Sequence, residues 1–114
     1  TETHQVLIDV GYSRGPDIAR RLEANNIICN FQANTDEEGF TASGALRTGV
    51  SEMTRFGMQK EDFHDLAVLI HDMVKNNSDV GHEVKKLRQR FSELQFCFRG
   101  DEYNDLLQKL HELL

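Results

Sequence analysis

Residues 42–58 form the run ASGALRTGVSEMTRFGM, which joins a strand to a helix. Ala45–Val50 is typical of a strand, and Ser51 stands where a helix N-cap is expected, so SEMTR predicts a short helix capped by Ser51. Within the strand, Arg47 lies among small residues and directly follows a glycine-containing loop. The run therefore predicts a strand that presents an arginine to its surroundings.

Upstream of this run the pattern predicts two more strands around a helix. His4–Val10 alternates and is rich in Val, Leu and Ile, as strands are. Pro16–Asn25 has apolar residues at helical spacing, with proline at a favoured first position. Ile27–Cys29 predicts a short buried strand, and the polar residues Asn34–Gly44 predict a loop.

Downstream the chain turns helical. Gln59–Lys75 keeps an i, i+3, i+4, i+7 apolar rhythm, and Val80–Leu94 carries a second such face. Gln95–Phe98 is apolar and β-prone, and a last helix begins at Asp101.

The order strand, helix, strand, strand, then helices predicts an α/β domain of the α+β, two-layer type. We expect a small, mainly antiparallel three-stranded sheet with helices packed on one face. With 114 residues the chain is the size of one domain. The other face of the sheet has no obvious cover, which is expected of a domain that docks on a partner.

Composition excludes some classes of function. The net charge is −6, so the clustered positive charge that nucleic-acid binding needs is not expected. No apolar run has the length of a membrane span, and no leader pattern opens the chain, which starts almost at once with a strand. A start of this kind suggests a piece of a longer polypeptide. The two cysteines favour reduced, packed thiols in a cytoplasmic protein.

Motifs for catalysis or metal binding are not found in the sequence. Nucleophile-elbow, phosphate-loop and zinc-protease patterns are missing. His64 and His71 are seven residues apart on one helix, which is too far for the usual i, i+4 chelation, so no metal is expected. Arg47 is the candidate that remains, because an arginine held among small residues can grip a carboxylate with two parallel hydrogen bonds. The alternative is an ion pair between Arg47 and Asp36 or Glu37.

Four segments together resemble the C-terminal region of serine hydroxymethyltransferases. ALRTGVSEMTRFGM is similar to the pattern G-I-R-x-G-T-x-x-x-T-R of that family. THQVLIDV and ARRLEANNIICN resemble its preceding strand, helix and asparagine segment, and VGHEVKKLRQRFSELQFCF resembles its closing helix and aromatic strand. The resemblance covers residues 1–98, and residues 99–114 are expected to add an extra C-terminal helix.

The resemblance implies the small C-terminal domain of a fold-type I pyridoxal-phosphate enzyme. By position Arg47 would bind the carboxylate of glycine or serine. The cofactor's lysine and phosphate ligands would lie in a preceding large domain of the same polypeptide, which this chain lacks. The domain is thus expected to hold no catalytic residue, to be inactive alone, and to work in a homo-oligomer.

Two family positions raise separate questions. The family has Asn-Lys-Asn where this chain has Asn30-Phe31-Gln32, so binding of tetrahydrofolate by Asn30 and Gln32 is in question. Thr54 and Arg55 also match the family, but a structural role is favoured, with the helix capped and Arg55 paired with a nearby carboxylate.

Two alternatives follow. The first is the small domain of a folate-independent β-hydroxy-amino-acid aldolase or transaldolase. The second is a stand-alone α/β module for protein interaction.

Overall fold

The computed structural model describes residues 3–34, 42–97 and 100–114, and it has the two-layer architecture that the sequence predicts. The strands are β1 Gln5–Asp9, β2 Asn30–Gln32 and β3 Ala45–Gly49. The helices are α1 Gly15–Ala24, α2 Ser51–Arg55, α3 Lys60–Asn76, α4 Gly81–Gln89 and α5 Asp101–Leu113.

The three strands form one antiparallel sheet in the order β1-β3-β2. The strand that carries Arg47 therefore lies in the centre. Leu46 of β3 stands opposite Ile8 of β1 on one side and Phe31 of β2 on the other. Beyond the ladder, the Val10 amide donates to the Gly44 carbonyl at 2.8 Å, which extends the pairing of β1 with the start of β3.

One face of the sheet is covered by α1, α3 and α4. The buried cluster consists of Val10, Ile18, Ala19, Leu22, Leu46, Met73, Val80 and Val84. Burial of each large apolar side chain contributes about 1.5–3 kcal/mol to stability, so this layer is the main source of cohesion. The prediction of helices on one face is confirmed.

The prediction of a strand at Ile27–Cys29 is wrong, because β2 begins only at Asn30. The way α1 ends explains why β2 begins at Asn30 and not at Ile27. Asn26 takes the left-handed conformation at φ +66°, the Ile27 amide donates to the Leu22 carbonyl, and the Asn26 amide donates to the Glu23 carbonyl. These bonds form a Schellman motif, which uses Ile27 to close the helix. Ile28 is then 86% exposed, while Ile27 and Cys29 pack against the core.

Residues 90–97 also differ from the prediction. The helix predicted to reach Leu94 ends at Gln89, and the Arg88 guanidinium turns back to donate to the Phe91 carbonyl. Gln95–Cys97 forms no strand, because the amides of Gln95 and Phe96 both donate to the Arg55 carbonyl, at 2.7 and 3.2 Å. Phe98 lies outside the described residues.

The N-cap prediction for Ser51 is wrong as well. Val50 is the N-cap of α2, Ser51 is its first residue, and no side chain caps the helix. By contrast α3 begins with a capping box, in which the Asp62 carboxylate accepts a hydrogen bond from the Gln59 amide at 2.9 Å.

The last helix forms where it is predicted, and α5 is exposed along its whole length. Its apolar side chains are Tyr103, Leu106, Leu107, Leu110 and Leu113. No helix in the described part of the chain is long and apolar enough to cross a membrane. The division of the chain at residue 98 stays a prediction.

Candidate functional site

Arg47 lies on the face of the sheet that the helices do not cover. Side chains alternate between faces along a strand, and its neighbour Leu46 is fully buried in the helix-packed layer. Arg47 is half-buried and belongs to the opposite face, which we call the open face. The central strand thus contributes one residue to the core and the next to a surface that a ligand can reach.

Strand register brings the sequence-predicted residues together on the open face. Arg47 stands opposite Leu7 of β1 and Asn30 of β2. In the next row Ala45 stands opposite Asp9 and Gln32. Directly opposed residues in antiparallel strands have Cα atoms about 4.5–5.5 Å apart and share a face. Asn30 is therefore an immediate neighbour of Arg47, and Gln32 lies one row away.

Phe31 does not belong to this group. It stands opposite Leu46, so its side chain lies on the helix side of the sheet. A Cβ atom added to Gly15 would be 3.0 Å from the Phe31 Cβ, which places Phe31 against the start of α1. The replacement of the family's lysine by Phe31 therefore leaves the charge of the open face unchanged, and Gln32 is the departure that lies on it.

The surroundings of Arg47 are open on the side of Gly49. Gly49, two residues along on the same face, is exposed and has no side chain, whereas Ala45 on the other side is small but only 1% exposed. Among the described residues, Arg47 makes no side-chain hydrogen bond or ion pair. Asp36 and Glu37, the acidic partners considered from the sequence, lie outside the described residues. The guanidinium keeps the donor geometry that a carboxylate needs.

Thr54 and Arg55 make local bonds, as the structural interpretation predicts. The Thr54 hydroxyl donates to the Val50 carbonyl at 2.8 Å, and Arg55 pairs with Glu52 at 3.3 Å. The Arg55 carbonyl also holds the chain after α4. These two residues stabilise α2 and its contact with residues 95–96.

The other candidate groups are scattered. His64 and His71 are exposed on α3. In the described ranges no three His, Cys, Asp or Glu side chains are grouped so that they could hold a metal ion. Leu7 is the neighbour of Arg47 that sequence reasoning missed. Its alternation with Ile8 assigns it to one face, but only the register places it opposite Arg47.

Known proteins resemble this chain over most of its length. No family model matches the chain. It is 37% identical over 105 residues to a serine hydroxymethyltransferase of Pyrobaculum aerophilum, covering 90% of this chain and 24% of that protein. It is 33% identical over 105 residues to the enzyme of the same name from Methanothermobacter thermautotrophicus, covering 90% of this chain and 25% of that protein.

A solved structure has the same fold. The L-threonine transaldolase of Pseudomonas fluorescens, in its internal aldimine state, superposes with a TM-score of 0.76 at 30% identity. The match covers 98% of this chain and 26% of the transaldolase chain. This chain thus spans about a quarter of the length of the relatives that it matches.

The fold and these matches identify the chain as the small C-terminal domain of a fold-type I pyridoxal-phosphate enzyme. Within that class, the chain belongs to the serine hydroxymethyltransferase-like enzymes, of which it matches a C-terminal portion.

Proposed function

We propose that this chain supplies the substrate-carboxylate site of a full-length hydroxymethyltransferase-like enzyme that acts on glycine or serine. The observation that carries the proposal is the place of Arg47, at the centre of the open face and without a partner among the described residues. The domain contributes to the activity of the whole polypeptide and is inactive by itself.

Arg47 binds the amino acid through two parallel N–H···O bonds to its carboxylate. A bidentate pair fixes both the position and the plane of the carboxylate. Fixing the carboxylate limits rotation of the rest of the amino acid, so the bond to be broken at Cα keeps one orientation. Gly49 allows the approach, because it is exposed and has no side chain to occupy the space beside the guanidinium.

The residues of this chain do not fit pyridoxal phosphate on their own. Its lysines are all exposed and lie on helices, and none lies on a strand of the sheet. They are Lys60, Lys75, Lys85, Lys86 and Lys109. We place the cofactor in the preceding large domain of the same polypeptide, which would also cover the open face. That assignment is supported by the internal aldimine state of the similar transaldolase.

Tetrahydrofolate is the one-carbon acceptor in the main form of this proposal, with Asn30 and Gln32 as its ligands in this domain. Both amides lie on the open face, Asn30 directly opposite Arg47 and Gln32 one row away. A glutamine in place of the family's second asparagine keeps one acceptor and one NH₂ donor group, but its extra methylene displaces them.

A folate-independent β-hydroxy-amino-acid transaldolase is the second candidate. Two observations favour it, namely the similarity to an L-threonine transaldolase and the presence of Gln32 on the open face. Serine cleavage by the full-length enzyme, measured with and without tetrahydrofolate, separates the two. A rate that rises with tetrahydrofolate supports the first candidate, and an unchanged rate supports the second.

The test of the carboxylate site is Arg47→Ala in the full-length enzyme. Hydrogen bonds to charged groups contribute about 1.5–3 kcal/mol each, so kcat/KM for glycine or serine should fall about 10²- to 10⁴-fold. Arg47→Lys should recover only part of the loss, since an ammonium cannot form the fork. Arg20→Ala removes an exposed arginine of α1 and is the matched control. Near-normal turnover by Arg47→Ala would contradict the proposal.

A further inference from the structure

We infer that Asn30 is a positioning residue for Arg47, holding the guanidinium in the orientation that receives the substrate carboxylate. The inference rests on the carboxylate site proposed above and extends it to a residue that does not itself touch the carboxylate.

The register provides the geometry. Asn30 and Leu7 are the two residues directly opposite Arg47, one on each side of the central strand. Leu7 is 41% exposed and apolar, so it can pack against the arginine stem but cannot accept a hydrogen bond. Asn30 is exposed on the same face, and its side chain starts one cross-strand spacing from that of Arg47. The two side chains make no hydrogen bond in the bare domain, and the carboxamide oxygen of Asn30 is the acceptor that the register sets beside Arg47. The two sides of Arg47 thus differ in kind.

The donors of the guanidinium make the acceptor necessary. Arginine has five N–H groups, and a bidentate carboxylate takes two of them. In the bare domain the guanidinium has no hydrogen-bond partner among the described residues. Once the open face is covered, unpaired donors carry a desolvation cost, and they need acceptors from their neighbours. Among the described residues, Asn30 is the polar side chain that lies opposite Arg47.

Neighbouring polar groups are less suited to this role. Asp9 and Gln32 stand in the next row, opposite Ala45, and the Asp9 carboxylate already accepts the Gly11 amide at 2.9 Å. A carboxylate beside Arg47 would also compete with the substrate for the positive charge. A neutral amide orients the guanidinium and leaves its charge available to the substrate.

The experiment is Asn30→Ala in the full-length enzyme, assayed by tetrahydrofolate-free cleavage of a β-hydroxy amino acid. We expect KM for the amino acid to rise about tenfold while kcat changes less than about twofold, because the orientation of the carboxylate ligand is lost and the reacting groups are untouched. Asn30→Asp should raise KM further, about a hundredfold, since the new carboxylate pairs with Arg47. Asn30→Ser, which keeps a short acceptor, should recover part of the affinity.

Gln5→Ala is the matched control, because Gln5 carries an amide on the same face but stands opposite Gly49. An unchanged KM in both Asn30→Ala and Asn30→Asp would overturn the inference, as would an effect confined to the tetrahydrofolate-dependent reaction. Failure of the carboxylate site itself is distinguished by Arg47→Ala. If that variant keeps its affinity, the proposed function fails, whereas loss there with no effect at Asn30 removes only this inference.

Discussion

The two faces of the sheet differ although they are made from alternate residues of the same strands. On the helix side, Leu46 is fully buried within the apolar cluster. On the open face, Arg47 and Asn30 stand beside each other, and Leu7 remains 41% exposed. Cohesion thus comes from one face, which leaves the other available for a ligand and for the remainder of the polypeptide.

The separation depends on strand register. A shift of one residue between strands would exchange the faces, burying Arg47 and exposing Leu46. An unpaired arginine in the helix layer would be costly, so the same pairing that fills the core also sets Arg47 on the open face.

The largest expected change in stability comes from comparing Leu46, on the helix side of the sheet, with Leu7, on the open face. Leu46→Ala should lower the free energy of unfolding by about 2–5 kcal/mol, because it removes a fully buried side chain and leaves a cavity. Leu7→Ala should lower it by less than about 1 kcal/mol. Urea denaturation of the chain, followed by circular dichroism, measures both. Equal losses in the two variants would mean that both faces contribute alike to cohesion.

A smaller loss of stability is expected from removing the hydrogen bond that joins α1 to α4. The Asn25 side chain accepts the Val80 amide at 2.8 Å and donates to the Arg21 carbonyl at 2.9 Å, which ties α1 to the start of α4. Asn25→Ala leaves the Val80 amide without this partner, so stability should fall by about 1–3 kcal/mol.

Asn25→Asp is the companion variant, since it keeps the acceptor for the Val80 amide and loses the donor to the Arg21 carbonyl. Its negative charge is favourable at the N-terminus of α4 and unfavourable at the C-terminus of α1, so the two dipole effects oppose each other. The same denaturation experiment should find Asn25→Asp the less damaged of the two. The reverse order would show that the loss of the bond to the Arg21 carbonyl within α1, together with the new charge at the C-terminal end of that helix, outweighs the bond to Val80.

The smallest effect concerns the two cysteines, both of which are outside disulfides in the described structure. Burial raises the pKa of the Cys29 thiol above its ordinary value of 9.0, while Cys97 is exposed. Because the thiolate is the reactive form, Cys97 should react with a thiol reagent at pH 8 at least about tenfold faster. Rates measured on Cys29→Ser and Cys97→Ser, each with one thiol left, check this. Comparable rates would show that the layer beside Cys29 opens readily.

The raised pKa also fixes the sign of a pH effect. The unfolded thiol loses its proton at a lower pH than the folded one, so its contribution to stability is complete below pH 9.0 and is lost as the pH rises through the folded pKa. Stability of the chain should decline in this alkaline range by less in Cys29→Ser, which has no thiol to ionise there.

The sequence predicted the elements whose pattern is long or regular. β1, α1, β3 and α3 lie within a residue or two of their predicted bounds. The misplaced parts are those settled by capping and tertiary bonds. Ile27 looks like the start of a strand but completes a helix cap, and residues 95–96 look like a strand but donate to the Arg55 carbonyl. Neither bond leaves a periodic signal in the sequence.

The candidate site also combines one feature that the sequence predicts with others that depend on tertiary structure. Arg47 was found from its motif and its small neighbours, whereas its pairing with Leu7 and Asn30 depends on register. The three-residue run Asn30-Phe31-Gln32 appears as one unit in the sequence, yet alternation assigns its middle member to the other face. A departure from a family motif must therefore be judged face by face.

The fastening of α1 to α4 also bears on how the domain is made. Asn25 and Val80 are 55 residues apart, so all three strands are synthesised before α3 and α4, which complete the cover that α1 begins. At a synthesis rate of ~5–20 residues per second, the ~40 residues between the end of β3 and the end of α4 take about 2–8 s to appear. During that interval Ile18, Leu22 and Leu46 lack the cover of α3 and α4. The nascent chain then exposes apolar side chains on the face of the sheet that later becomes the core.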